Sequence, residues 1–184
     1  MKTMKRTLMM AALSGAFTAA AFAGEATTSA TAGSNGRGNG YAGATADYTG
    51  NGIGITRTKA DTGRINFGRG LSIGLDENGL SLSTSYALAP NNGPAVGGTF
   101  NMNIGFDGER SASFGRTVAS GDRSREVTAG GFAGSDRGIG RAGATVGGNT
   151  GPRGTVKATS HSYDTRTRSE HRPTTYRRLL LGRR

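Results

Sequence analysis

The chain has 184 residues, with 33 glycines, no cysteine, no tryptophan and 34% hydrophobic residues. The missing thiols exclude disulfide staples, thiol catalysis, thiolate metal sites and a lipidated cysteine. An exported protein without disulfides fits a bacterial envelope or extracellular setting better than a eukaryotic secretory route. The formal net charge of +11 directs attention to anionic partners.

Residues 1–23 read as a secretory signal peptide. Lys2, Lys5 and Arg6 precede an apolar run from Leu8 to Ala21, and Ala21-Phe22-Ala23 places small residues where a signal peptidase reads them, with Gly24 next. The apolar run is shorter than the roughly 20 residues that a membrane-crossing helix requires. Cleavage between Ala23 and Gly24 is therefore expected, with the mature protein periplasmic, at the cell surface or extracellular.

Residues 24–52 are Gly, Ala, Ser, Thr and Asn with little that is large except Tyr41 and Tyr48. So little apolar surface does not offset the entropy of ordering, and the stretch reads as a flexible leader. Residues 53–118 hold most of the large apolar side chains, at a period of two. Leu71, Ile73 and Leu75 alternate with Ser72 and Gly74; Leu80, Leu82, Tyr86 and Leu88 alternate with serines and Ala87; Phe100, Met102, Ile104 and Phe106 alternate with Asn101, Asn103 and Gly105. This alternation predicts strands with the apolar face on a core and the polar face in water. Ile53, Ile55, Ile65 and Phe67 suggest two strands upstream.

The connectors are turn-formers. Asp76-Glu77-Asn78-Gly79 closes a hairpin around Glu77-Asn78, pairing Leu75 with Leu80, or around Asn78-Gly79, pairing Leu75 with Leu82. A three-residue loop from Asp107 to Glu109 is expected, because a two-residue loop turns Phe114 to the wrong face; it pairs Phe114 with Met102. The fold class is thus mainly β, a small antiparallel meander or sandwich-like sheet over residues 53–118 with Gly-rich flexible flanks. Residues 119–151 read as Gly-rich loop. Residues 152–184 form a basic, disordered tail, with a short strand near Gly154 to Ser160.

That tail carries Arg153, Lys157, Arg166, Arg168, Arg172, Arg177, Arg178, Arg183 and Arg184 against Asp164 and Glu170. A sign asymmetry of this kind marks an interaction arm. Arginine forks suit polyanions, and for an exported protein these are extracellular DNA, lipopolysaccharide or acidic wall polymers. The contacts expected are Arg166, Arg168, Arg172, Arg177, Arg178, Arg183 and Arg184.

Other motifs dissolve on inspection. Gly38, Gly40, Gly43 and Gly138, Gly140, Gly143 fit G-x-G-x-x-G, but no buried strand leads into a helix at either, as a dinucleotide loop requires. Asp76-Gly79 opens like a calcium loop but has Ala87 where the twelfth-position acid belongs. His161 and His171 read as solvated tail histidines. Phe67-Gly68-Arg69 and Phe114-Gly115-Arg116 echo one another, but their flanks differ, and the echo reads as compositional coincidence. No catalytic, cofactor or metal constellation stands out, so the expectation is a non-enzymatic envelope or extracellular structural or interaction protein. The alternatives are a small outer-membrane β-barrel or a self-assembling surface fibre subunit.

Overall fold

The computed structural model describes residues 24–35, 40–121, 124–136, 139–165 and 176–179, with Asp136 and the last segment described by backbone alone. The described residues are strands and turns, without a helix. The strands are β1 (Gly24–Ser34), β2 (Gly40–Gly50), β3 (Ile53–Asp61), β4 (Ile65–Leu75), β5 (Gly79–Pro90), β6 (Ala95–Gly105), β7 (Arg110–Ser120), β8 (Arg125–Asp136), β9 (Ile139–Thr150), β10 (Thr155–Asp164) and β11 (Tyr176–Leu179). They form two antiparallel sheets: a small one ordered β2-β1-β8-β9, and a large one ordered β11-β10-β7-β6-β5-β4-β3. The sheets keep free edges at β2, β9, β3 and β11 and do not close into a barrel.

The expected meander is present as β3 to β7, each strand paired with the next. At Asp76 the hairpin closes around Glu77-Asn78 and pairs Leu75 with Leu80. The Asp76 carboxylate selects this register by accepting hydrogen bonds from the backbone amides of Asn78 (2.8 Å) and Gly79 (3.1 Å). At the next hairpin the loop has the expected odd length but spans Phe106 to Gly108, so Phe114 pairs with Phe100 instead of Met102. Gly108 takes φ +90°, the left-handed residue that ends a three-residue hairpin loop. The amide of Gly105 then bonds the carbonyl of Glu109 at 2.8 Å.

The flanks depart from the sequence reading. Residues 24–34 and 40–50 are strands of the small sheet rather than a flexible leader, and most of 119–151 is strand rather than loop. Within the region read as a tail, Thr155–Asp164 is a full strand paired along β7. These segments do not need large apolar side chains, because their backbones are paired and their alanines are packed. β1 sits between β2 and β8 and pairs with both along its whole length, and Ala26, Ala30 and Ala32 are fully buried.

The facing is the main reversal. In β4 the buried positions are Asn66, Gly68, Gly70, Ser72 and Gly74; in β5 they are Ser81, Ser83, Ser85, Ala87 and Ala89. Asn101, Asn103, Ser111, Ser113 and Thr117 continue the same face through β6 and β7. The small polar face is therefore the inner one, and the large apolar residues point outward. The cause is close approach of the two sheets. A Cβ on Gly70 would run into the carbonyl oxygen of Thr45, and one on Gly68 into that of Gly43. Leucines do not fit where glycines meet carbonyls, so the phase that places Gly, Ala, Ser and Asn inward wins.

This interior is held by hydrogen bonds as well as by packing. Ser83 Oγ lies 2.8 Å from Thr28 Oγ1 of the opposite sheet and donates to Asn101 Oδ1 at 2.6 Å. The Asn101 amide donates to Ser113 Oγ (3.1 Å) and, across the interface, to the carbonyl of Gly143 (2.9 Å). A smaller all-aliphatic cluster of Ala30, Ala32, Ala87, Ala89, Ala95, Ala119 and Val127, with Val156 against it, fills the end nearer the Pro90–Ala95 loop.

Two predictions test this interior. Ser83→Ala strands the partners of a buried hydroxyl and should cost about 1–3 kcal/mol in urea unfolding. Thr117→Val removes a fully buried hydroxyl with no hydrogen-bond partner and should be neutral or stabilising. Glu25 in β1 is 9% exposed, and burial raises its pKa above 4.5. A raised carboxyl pKa means the folded chain holds the proton more tightly, so ionisation costs stability as pH rises through the folded value. Glu25→Gln should therefore stabilise the protein at neutral pH, and the gain should vanish in thermal melts below about pH 4.5.

Candidate functional site

Because the inner face takes the small residues, the outer face of the large sheet displays the rest in rows set by strand register. One row runs Ile55, Ile73, Leu82, Met102, Ala112 and Tyr163, and the next runs Arg57, Leu71, Thr84, Phe100, Phe114 and His161. Phe100, Phe114 and Tyr163 are 40%, 53% and 57% exposed. The His161 ring stacks on Phe114 with centroids 4.7 Å apart, so this histidine belongs to the sheet and is not a solvated tail residue.

A cationic belt crosses this apolar surface. The row Lys59, Arg69, Tyr86, Gly98 and Arg116 lies beside the aromatic one, and Tyr86 covers Gly98, where a Cβ would meet its ring at 2.7 Å. Beyond the belt the surface turns apolar again with Phe67, Leu88, Val96 and Val118, ending at Lys157. Arg57, Arg69, Arg110, Arg116 and Lys157 are all exposed on this face. Its acid on β3 is Asp61, which pairs with Lys59 at 3.0 Å.

The opposite side of the sandwich differs in kind. The outer face of the small sheet carries Thr27, Ser29, Thr31, Thr45, Thr49, Thr128 and Thr145 with Asp47, Glu126 and Arg141, the buried Glu25, and Phe132 over Gly143. Tyr41 lies over Gly33 there; burial and a hydrogen bond to the Glu126 carboxylate hold its hydroxyl protonated well above the usual tyrosine range. The molecule is thus two-faced: polar and mildly acidic on one side, apolar and basic on the other.

Gly24, from the expected cleavage site, opens β1, and the Asp76 carboxylate stands where a side chain at Gly24 would be. Arg177 and Arg178 lie in β11, opposite Lys157 and Val156 in the register. Ala21, Ala23, Arg166, Arg168, Arg172, Arg183, Arg184 and His171 fall outside the described residues. The belt itself was not singled out from sequence, although a signal exists: Arg57, Arg69 and Arg116 occupy the same strand phase as the apolar residues. The Phe-Gly-Arg echo is structural after all. In both copies Phe and Arg point outward while Gly68 and Gly115 face the small sheet, where a Cβ on Gly115 would lie 2.7 Å from Val146.

Among the described residues no group of three or more His, Asp or Glu is placed to hold a metal ion, and no helix is long and apolar enough to cross a membrane. Compared with protein families, with curated sequences and with solved structures, the chain matches none.

An exposed apolar face of this extent should bind an anionic apolar dye such as anilinonaphthalene sulfonate in the native state. Phe100→Ser with Phe114→Ser should reduce that fluorescence severalfold. Both side chains are exposed, so stability should change by only about 0.5 kcal/mol per site. Dye binding unchanged by the pair would place the apolar surface elsewhere.

Proposed function

We propose that this chain is an exported, non-enzymatic interaction protein of the bacterial envelope or extracellular space. Its large sheet lies with the outer face against an anionic amphiphile, an acyl-chain lipid or lipopolysaccharide with phosphate or carboxylate groups. The observation that carries this reading is the coexistence, on one face, of apolar rows and the Arg69–Arg116 belt. Apolar rows alone suit any oily partner, and cations alone suit any polyanion. Together they match a partner that offers acyl chains and anionic headgroups side by side.

Charge argues against a second copy docked face to face. Such a pairing sets Arg57, Arg69, Arg110, Arg116 and Lys157 against their own like, which costs affinity and specificity. A membrane-spanning barrel fits poorly as well. The sheets do not close, and the threonine-rich outer face of the small sheet offers no lipid-facing girdle. The polyanion arm expected of Arg166, Arg168, Arg172, Arg177, Arg178, Arg183 and Arg184 is a compatible second contact.

Vesicle flotation with the purified mature protein tests the proposal. Binding to phosphatidylglycerol vesicles should exceed binding to pure phosphatidylcholine vesicles and weaken with salt. Arg69→Glu with Arg116→Glu should lower it about tenfold or more. A truncation for the tail begins after Thr165, which keeps β10 whole and removes the short edge strand β11 along with the tail. Loss of binding on truncation alone, with the double variant unaffected, would move the contact from the face to the tail. Turnover of an ester, glycan or peptide substrate would overturn the non-enzymatic reading.

A further inference from the structure

A further site lies at one end of the sandwich, away from the belt, where the first residue of β1 meets the β4–β5 turn. A Cβ on Gly24 would run into Asp76 Oδ2 and would lie 3.0 Å from the Tyr48 hydroxyl. That point is one bond from the Gly24 Cα, so Oδ2 stands within about 4 Å of the Gly24 nitrogen. No residue with a side chain fits there without displacing the carboxylate.

The carboxylate is held in this position by its own turn. The Asp76 amide donates to the Gly79 carbonyl at 3.1 Å, and the Asn78 carbonyl accepts from the Phe106 amide at 2.9 Å. Oδ1 accepts from the amides of Asn78 and Gly79, which leaves Oδ2 directed at Gly24. Among the described residues the one ion pair is Lys59–Asp61, and no lysine or arginine pairs with Asp76. Tyr48 reaches across from β2, its ring against Gly54 and Gly74 of the large sheet, and brings its hydroxyl to the same corner. Two oxygens thus converge on the start of β1, one of them a fixed anion. Charge-assisted hydrogen bonds from a cation are the strongest way to satisfy such an anion.

The chain can supply that cation by its own processing. Ahead of cleavage the Gly24 nitrogen belongs to a neutral amide. Hydrolysis of the Ala23–Gly24 bond takes up one water, leaves a carboxylate on Ala23 and frees an amine on Gly24, which is protonated at neutral pH. We propose that this new amino terminus is bound in place: the Gly24 ammonium pairs with Asp76 Oδ2 and donates to the Tyr48 hydroxyl. Removing the signal then creates an ion pair between the small sheet and the β4–β5 turn of the large one. β1 pairs along its whole length with β2 and β8, so fixing its first residue secures both pairings. The site and its occupant rest on the export and cleavage expected of residues 1–23.

The intact mass of the protein exported from a bacterial host should correspond to a chain beginning at Gly24. Four purified forms are then unfolded in urea: the chain from Gly24 and the chain extended by Ala21-Phe22-Ala23, each as wild type and as Asp76→Asn. Asparagine keeps the Oδ1 acceptor that the turn uses and removes only the charge. In the chain from Gly24 the substitution should lower the folding equilibrium constant about fivefold, and in the extended chain less than twofold. Equal losses in the two backgrounds overturn the ion pair and leave the export reading standing. A mature mass that begins elsewhere overturns both. The wild-type pair gives an independent check: the extension alone should cost about fivefold, and an extended chain as stable as the one from Gly24 overturns the proposal.

Discussion

Everything in this molecule depends on how near the two sheets come. Gly68 and Gly70 in β4 face carbonyl oxygens of β2 with no room for a side chain between them, and Gly131 of β8 stands against the Asn101 amide. At that separation Gly, Ala, Ser, Thr and Asn take most of the inner positions, with Val127 the largest side chain that is fully buried. The hydroxyls and amides admitted on those terms then find one another, as the Thr28–Ser83–Asn101–Ser113 chain illustrates. Low local dielectric strengthens such a network and makes each broken member costly. The interior is therefore specific in register although it is poor in apolar bulk.

With the inner positions closed to them, the large apolar residues take the outer phase of the same strands. Strand period allows no third choice. A flat apolar face of this kind invites unwanted pairing. The Arg69–Tyr86–Arg116 belt interrupts it, so that a hydrocarbon surface alone is a poor match. The inversion of the sandwich and its proposed contact with an anionic amphiphile thus have one origin. In the proposed contact, the partner would supply the burial that the fold denies these side chains.

The strands of the middle third were legible from alternation, and the turn chemistry of Asp76 and Gly108 is ordinary. The buried face was not legible, because alternation marks two faces and only the facing sheet decides which is covered. Leu71 and Ser72 are equally periodic; it is the crowding at Gly68 and Gly70 that turns Ser72 inward, where its hydroxyl donates to the Asp47 carbonyl at 2.6 Å. The small sheet escaped the sequence reading for the same reason. Ala26, Ala30 and Thr28 carry little hydrophobic signal, and their order comes from pairing with β8, far along the chain. Long-range pairing of this kind leaves little local trace and folds slowly. The belt arginines were hidden by the tail, whose denser charge drew the electrostatic reading away from Arg69 and Arg116.

The central claim, that the small polar face is inside and the large apolar face outside, is open to a direct measurement because the chain has no cysteine of its own. Ser113 and Phe114 are neighbours on β7 and point to opposite sides, 0% and 53% exposed. Single variants Ser113→Cys and Phe114→Cys, treated with a water-soluble maleimide in the native state, report which side faces solvent. The inverted sandwich predicts rapid labelling at position 114, and labelling at position 113 only after unfolding. Protection at 114 with rapid reaction at 113 would mean that the leucines and phenylalanines form the core after all, and would contradict the account.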